Sequence, residues 1–149
     1  AATIPVALQA SKRNGVSDGI ANFTVPLCAT IHLCGSTITL VTCATAVMFL
    51  SEHLAIPGYG TMLPFIMMLG VIMIAAPGAP GGGVMSALGL LTSMLGFGEA
   101  SIALMIALYL AQDSFGTACN VTGDGVIALW ADRFAQVGET TRSPERDAA

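Results

Sequence analysis

The chain has 149 residues, enough for one soluble domain, yet 54% of them are hydrophobic and only 9% charged, about a third of the usual charged share. With mean hydropathy +0.79, it reads as an all-α integral membrane protein with few aqueous loops. Its formal net charge of -4 is diffuse, and the lack of any lysine- or arginine-rich patch removes the electrostatic basis for binding nucleic acid.

In chain order, Thr3 to Lys12 form a short helical arm that Asn14-Gly15 stops. The pattern is already helical at Ala1-Ala2-Thr3-Ile4-Pro5, so we expect a missing part of a longer protein ahead of it. Ser17 is the expected N-cap of the next helix. That helix runs from Ile20 to about Leu54 with a polar interruption at His32-Leu33-Cys34-Gly35-Ser36. Unbroken, its roughly 35 residues would reach about 52 Å, well beyond a bilayer core of about 30 Å. Local unwinding near Gly35 is therefore expected, with freed carbonyls that need a ligand or water.

After a turn at residues 56–60, two apolar arms, Thr61 to Ala76 and Val84 to Phe97, flank the tip PGAPGGG at Pro77 to Gly83. The arms measure roughly 24 Å and 21 Å, each short of a crossing. Non-helical backbone at membrane depth is tolerated only where it is buried in protein or lines a wet cavity. We read a re-entrant hairpin between two transmembrane helices, at least one of them broken. The plainer reading is two short helices joined by an exposed turn.

The last helix runs from Glu99 to about Phe134, and from Gln136 the tail is polar and expected to be disordered. In it Asp113, Thr117, Asn120 and Asp124 stand at offsets 0, 4, 7 and 11 and share one narrow stripe, with Gly116 at its edge. A carboxylate at mid-bilayer costs about 2.5–3.5 kcal/mol even on lenient scales, so these groups need partners. A face holding ions and a polar solute satisfies that need; a soluble core helix or a helix lining a subunit contact is the blander alternative.

All five basic residues, Lys12, Arg13, Arg133, Arg142 and Arg146, lie in the two flanks. Both flanks are then expected on the cytoplasmic side, which requires an even number of crossings. Cys28, Cys34, Cys43 and Cys119 lie in apolar runs without C-x-x-C spacing and read as small buried thiols. Asp113 and Asp124 are about 16 Å apart along the helix axis, too far to flank one scissile bond. No Ser/His/Asp arrangement or phosphate loop appears, so no enzyme and no catalytic residue is expected. Interrupted hydrophobic segments instead mark a secondary transporter's binding site. Freed carbonyls and a carboxylate suit a small cation, and helix ends suit a carboxylate.

ATIPV, ATIHLCGS, PGAPGGG and DSFGTACNVTGD, in this order and spacing, resemble the dicarboxylate/amino acid:cation symporter family, which includes the glutamate transporters. The resemblance covers nearly all of residues 1–135 and implies a partial transport domain. Residues 1–14 would be the second arm of hairpin 1, 17–54 a broken helix 7, 61–97 hairpin 2 and 99–135 helix 8. Residues 136–149 would be a polar cytoplasmic tail. The tip of hairpin 1 and the scaffold of a homotrimer would precede Ala1.

By that resemblance Asp113 holds the substrate's amino group and Asn120 its α-carboxylate. Gly116, Thr117 and Ser36 lie nearby, and the tip Pro77 to Gly83 forms the gate and, through Ala79, Pro80, Gly81 and Gly82, part of the substrate pocket. Asp124 and Asn120 bind one sodium with carbonyls of the broken helix, such as those of Cys28 and His32. A second sodium sits between hairpin 2 and the carbonyls around Thr30 and Leu33. No other cofactor is implied.

Two departures matter. Members taking acidic substrates carry an arginine where this chain has Gly116, and no arginine or lysine lies between Asn14 and Asp132. A second substrate carboxylate would be left uncompensated, which favours a neutral amino acid. The family's N-M-D-G-T reads His32-Leu33-Cys34-Gly35-Ser36, so a third sodium site is lost or altered. An imidazole there would bring proton coupling within reach, or simply hydrogen-bond within the broken helix. The reading is a multi-pass cell-membrane symporter of a small, neutral amino acid coupled to sodium. Its alternatives are a C4-dicarboxylate:cation symporter, which Asp113 disfavours by repulsion, and a non-transporting structural or channel fragment.

Overall fold

The computed structural model describes residues 2–142, with side chains as far as residue 136, and every element among them is helical. Helix α1, Ile4–Arg13, has Pro5 in its first turn, where the missing N–H costs nothing. It stops at Asn14 and at Gly15, which takes φ +91°. Lys12 pairs across this turn with Asp18 at 2.9 Å. Ser17 precedes α2, Asp18–Ile31, but its side chain makes no capping bond. Its backbone N–H is instead held by Asp132 Oδ1 of the last helix at 3.1 Å, so the cap comes from a distant element.

The expected break is present and narrow. Only His32 and Leu33 leave helical geometry before α3, Cys34–Leu50, begins; Gly35 and Ser36, expected in the unwound stretch, lie in its first turn. The helix ends at Leu50 rather than Leu54, because Ser51 turns extended at φ -95°, ψ 119°. Helices α4, Tyr59–Ile74, and α5, Gly82–Leu95, each begin two residues ahead of the expected arms and pack against one another. Their 16 and 14 residues give lengths of about 24 and 21 Å. Gly81 at φ +76° makes the left-handed step into α5. Gly96 at φ +69° ends α5, letting the Phe97 N–H return to the Leu91 carbonyl at 3.2 Å.

Helix α6, Glu99–Arg142, continues for 44 residues, past the expected end near Phe134 and into the stretch read as a disordered tail. The reason is local: after Gln136 the first residue that forbids helix is Pro144, and a lone Gly138 only weakens it. The rest of the tail lies outside the described residues.

Helices α1, α2, α3 and α5 pack on α6, and α4 packs on α5, α3 and α2. The main core joins α3, α4, α5 and α6 through Leu40, Val47, Phe65, Leu69, Val84, Leu91 and Met105. A smaller cluster of Val16, Ala21, Val25 and Ala128 seats α2 on the lower part of α6. α3 approaches α6 most closely where two glycines meet: a Cβ on Gly35 would stand 2.6 Å from Cys119 Cβ, besides striking the Gly116 backbone. Phe23, Phe49, Met67, Phe115, Trp130 and Phe134 point outward. Asp18–Leu50 and Glu99–Gln136 are, among the described residues, long and apolar enough to cross a membrane.

Candidate binding site at the helix break

The stripe of α6 faces the two interruptions. A cavity of about 230 Å³ lies between them, lined by Asp113, Thr117, Asn120 and Asp124 from α6, His32, Leu33 and Ser36 from the α2–α3 break, and Pro77, Gly78, Ala79, Pro80 and Gly83 from the α4–α5 tip. Ala2, Thr3, Ala29, Tyr109 and Val121 complete the wall.

Its geometry follows from helix ends that lack their own caps. Leu33, at the N-cap of α3, has no side chain able to take an orphan N–H. Asn120, 7% exposed on α6, supplies the acceptor: Oδ1 takes the Gly35 N–H at 2.8 Å. Its amide nitrogen then donates to Ser36 Oγ at 3.0 Å. One turn further along α6, Asp124, 3% exposed, lies with Oδ1 2.8 Å from His32 Nδ1. With Asp124 ionised, its carboxylate can only accept, and Nδ1 would carry the proton in this contact. Gly123 makes room for the ring, since a Cβ there would lie 2.6 Å from His32 Cε1.

At the other end, the Gly81 N–H donates to Asp113 Oδ2 at 3.3 Å and so ties the glycine-rich tip to the stripe. Tyr109, one turn before Asp113 and 1% exposed, lines the cavity beside Ser36 and Asp113. Gly83 leaves the space for it: a Cβ at that position would be 2.6 Å from Tyr109 Oη.

Of the residues expected around a substrate, Asp113, Thr117, Asn120, Ser36, Ala79 and Pro80 line one cavity. Gly116 is elsewhere. It faces α3, where a Cβ would meet Thr39 Oγ1 at 3.1 Å and the Gly35 backbone at 3.4 Å. Gly81 and Gly82 are behind the lining, Gly81 as a donor to Asp113 and Gly82 packed on the Pro77 carbonyl. Of the expected cation ligands, Asn120, Asp124, His32 and Leu33 line the cavity, whereas Cys28 and Thr30 do not. The Cys28 carbonyl accepts the His32 N–H at 2.8 Å, and the Thr30 hydroxyl turns back to the Leu27 carbonyl at 2.7 Å. The Leu33 carbonyl takes both the N–H and the hydroxyl of Thr37, each at 3.0 Å, which uses both its lone pairs. Among the described residues no three His, Cys, Asp or Glu side chains cluster, so a cation here would be held by one carboxylate, an amide oxygen and backbone carbonyls. That all-oxygen donor set suits a hard cation.

Tyr109 escaped the sequence reading, whereas Gly83 ends the tip that was expected to close the pocket. The signal for Tyr109 was its place four residues before Asp113 on the same helical face.

A family model described as the sodium:dicarboxylate symporter family matches residues 1–134. The chain is 27% identical over 142 residues to the neutral amino acid transporter B(0) of Oryctolagus cuniculus, covering 92% of this chain and 26% of that protein. It is 30% identical over 143 residues to the serine/threonine transporter SstT of Acinetobacter baylyi, covering 91% of this chain and 34% of that protein. The neutral amino acid transporter B(0) of Mus musculus is 27% identical over 143 residues, covering 89% of this chain and 24% of that protein. The chain thus spans about a quarter to a third of the length of these relatives. Each is named as a transporter rather than an enzyme. No solved structure matched the chain significantly.

Proposed function

This chain belongs to the sodium:dicarboxylate symporter family, a family of membrane transport proteins, and on that premise we propose that it is the solute-binding part of a secondary active symporter for a small neutral amino acid. The observation that carries the reading is the charge pattern around the cavity. Asp113 and Asp124 sit on its wall, and no lysine or arginine stands anywhere from Asn14 to Asp132. Asp113 suits the ammonium group of a zwitterion. The Asn120 amide and the N-terminal end of α3 suit its α-carboxylate. A second carboxylate on the substrate would find no cation, and a C4-dicarboxylate without an amine would meet Asp113 as a like charge. The printed names of the relatives, neutral amino acid and serine/threonine transporters, favour the same class.

Sodium is the coupling ion in this reading, held at Asp124 and Asn120 with carbonyls of the broken helix. His32 already contacts Asp124, so an ion arriving there shares or displaces that contact; proton involvement through His32 would be a further feature of the same site. The α4–α5 pair acts as a re-entrant hairpin and gate. An incoming ammonium competes with the Gly81 N–H for Asp113, which links solute occupancy to the position of the tip. Alternating access follows if the loaded and empty forms move across the membrane and the half-loaded form does not. Both flanks face the cytoplasm, and the full-length protein forms a homotrimer on the family resemblance.

Uptake of radiolabelled L-serine by the full-length protein in proteoliposomes tests this. We expect uptake driven by an inward sodium gradient, inhibited by L-alanine and not by L-aspartate or succinate. Inhibition by succinate stronger than by L-alanine would turn the reading toward a dicarboxylate carrier.

A further inference from the structure

We propose that the His32 imidazole is a built-in stand-in for the coupling cation: it holds Asp124 while no ion is bound and yields it when one arrives. The inference rests on the symport reading and adds to it the side chain that lets the unloaded protein return across the membrane.

Three elements build the contact. The helix break leaves His32 at φ -106°, ψ 89°, outside both α2 and α3. Its Nδ1 lies 2.8 Å from Asp124 Oδ1 on α6. The ring has a seat there only because residue 123 is glycine, since a Cβ would come within 2.6 Å of Cε1 and 3.4 Å of Nδ1. Asp124 is 3% exposed, so water reaches it poorly, whereas the His32 side chain keeps 27% of its surface open. The carboxylate is fixed in the interior, and the ring is the partner with room to move.

No lysine or arginine stands between Asn14 and Asp132, so no permanent positive charge in the membrane part pairs with Asp124. An ionised carboxylate left alone at this depth is costly. A neutral imidazole lowers that cost by donating its Nδ1–H, and it needs no change of protonation to do so. The chain thus satisfies Asp124 with its own atoms. A sodium ion approaching from the helix break comes to the side of the carboxylate where the ring sits. The N–H then points its positive end at the ion, so ion and ring exclude one another at Oδ1.

The ring therefore makes the site weaker for sodium than the carboxylate alone would be. In exchange it spares the unloaded protein a bare buried carboxylate during its return. Net uptake needs that return in every cycle, and exchange of one solute molecule for another does not. His32 is a positioning residue in this scheme, acting on transport through Asp124.

The test uses the purified full-length protein. Sodium is titrated without L-serine, with choline keeping the ionic strength constant. L-Serine uptake is then measured in two sets of proteoliposomes, one empty and driven by an inward sodium gradient, the other preloaded with L-serine and sodium for exchange. In His32→Ala sodium is expected to bind about tenfold tighter, the worth of one hydrogen bond to a charged group. The ratio of net uptake to exchange is expected to fall severalfold, which a general loss of folded protein would not cause. Gly123→Ala keeps the imidazole but pushes its ring off Asp124. It is expected to shift both readouts the same way, and it serves alone where His32→Ala fails to assemble. Sodium affinity that is unchanged or weaker, or an unchanged ratio, in either assembled variant overturns the inference, while sodium-driven uptake by the unaltered protein leaves symport intact. Uptake by the unaltered protein that ignores the sodium gradient overturns the symport reading, and this inference falls with it.

Discussion

Asn120 caps a helix to which it does not belong, its Oδ1 accepting the Gly35 N–H in the first turn of α3 at 2.8 Å. The bond joins the stripe of α6 to the broken helix, and it explains why the unwound stretch is so short. A helix restarts at Cys34 where one of its free first-turn N–H groups, that of Gly35, meets an acceptor on the neighbouring helix. Asn120→Ala removes that acceptor and the donor to Ser36 together. The loss is expected to be about 0.5–2 kcal/mol, as for other caps, read as a lower thermal midpoint of the purified protein. Asn120→Asp keeps an acceptor for the Gly35 N–H but adds a third carboxylate to the stripe, buried and with no cation to pair it, and is expected to recover little of the stability.

His32 and Asp124 make a second link across the break. Replacing His32 by leucine leaves a buried carboxylate without its imidazole partner, at a cost of about 1–3 kcal/mol. If sodium binds at Asp124, saturating sodium should recover part of that loss and choline should not. Thermal melts of His32→Leu in the two salts check this, and equal losses in both would speak against an ion at Asp124.

The closest approach of α3 and α6 tolerates no methyl group. Gly35→Ala would press its Cβ on Cys119 and on the Gly116 backbone, neither of which can swing aside. The helices must separate, costing about 1–3 kcal/mol and spoiling the Asn120 cap beside it. Gly116→Ala meets only the tip of Thr39 at 3.1 Å and the Gly35 backbone at 3.4 Å, and is expected to cost less. Denaturation of the two variants side by side gives the order.

At the hairpin tip, Gly81→Ala forces a side chain into the left-handed region and toward Leu110 Cδ2, 2.9 Å away. The strain is about 1–2 kcal/mol and falls on the residue that donates to Asp113. L-Serine affinity is expected to drop severalfold, whereas Gly89→Ala, in α5 outside the cavity lining and with nothing within 4 Å of its Cβ, should leave it unchanged. Binding isotherms of the two variants separate the tip contact from a general effect of replacing a glycine in the α4–α5 pair.

How much of this was legible beforehand depends on what each feature rests on. Helical periodicity alone puts Asp113, Thr117, Asn120 and Asp124 on one face, because a 3.6-residue turn leaves no other arrangement. The break at His32 and the bend at Pro77–Gly83 were readable because length and glycine content contradict a continuous span. Tyr109 was not, because an aromatic in an apolar run reads as core, and only the cavity it lines and the space Gly83 leaves for its hydroxyl set it apart. The side of α6 that Gly116 takes was equally hidden: at the edge of a stripe, the packing partner decides, and that partner is Gly35. Ser17 followed the capping rule by type, yet a carboxylate more than a hundred positions away took its N–H instead. The end of α6 was set short because polar residues were read as coil, although polarity alone does not stop a helix.

The central claim, that a neutral amino acid is held at Asp113 with sodium close by, is tested most directly by equilibrium binding of L-serine to the full-length protein. The measurement compares sodium with choline medium in the unaltered protein and in Asp113→Ala. The account predicts saturable binding in sodium, little in choline and none in Asp113→Ala, with succinate failing to compete. Binding of L-serine that persists in Asp113→Ala, or that is as tight in choline as in sodium, would contradict it.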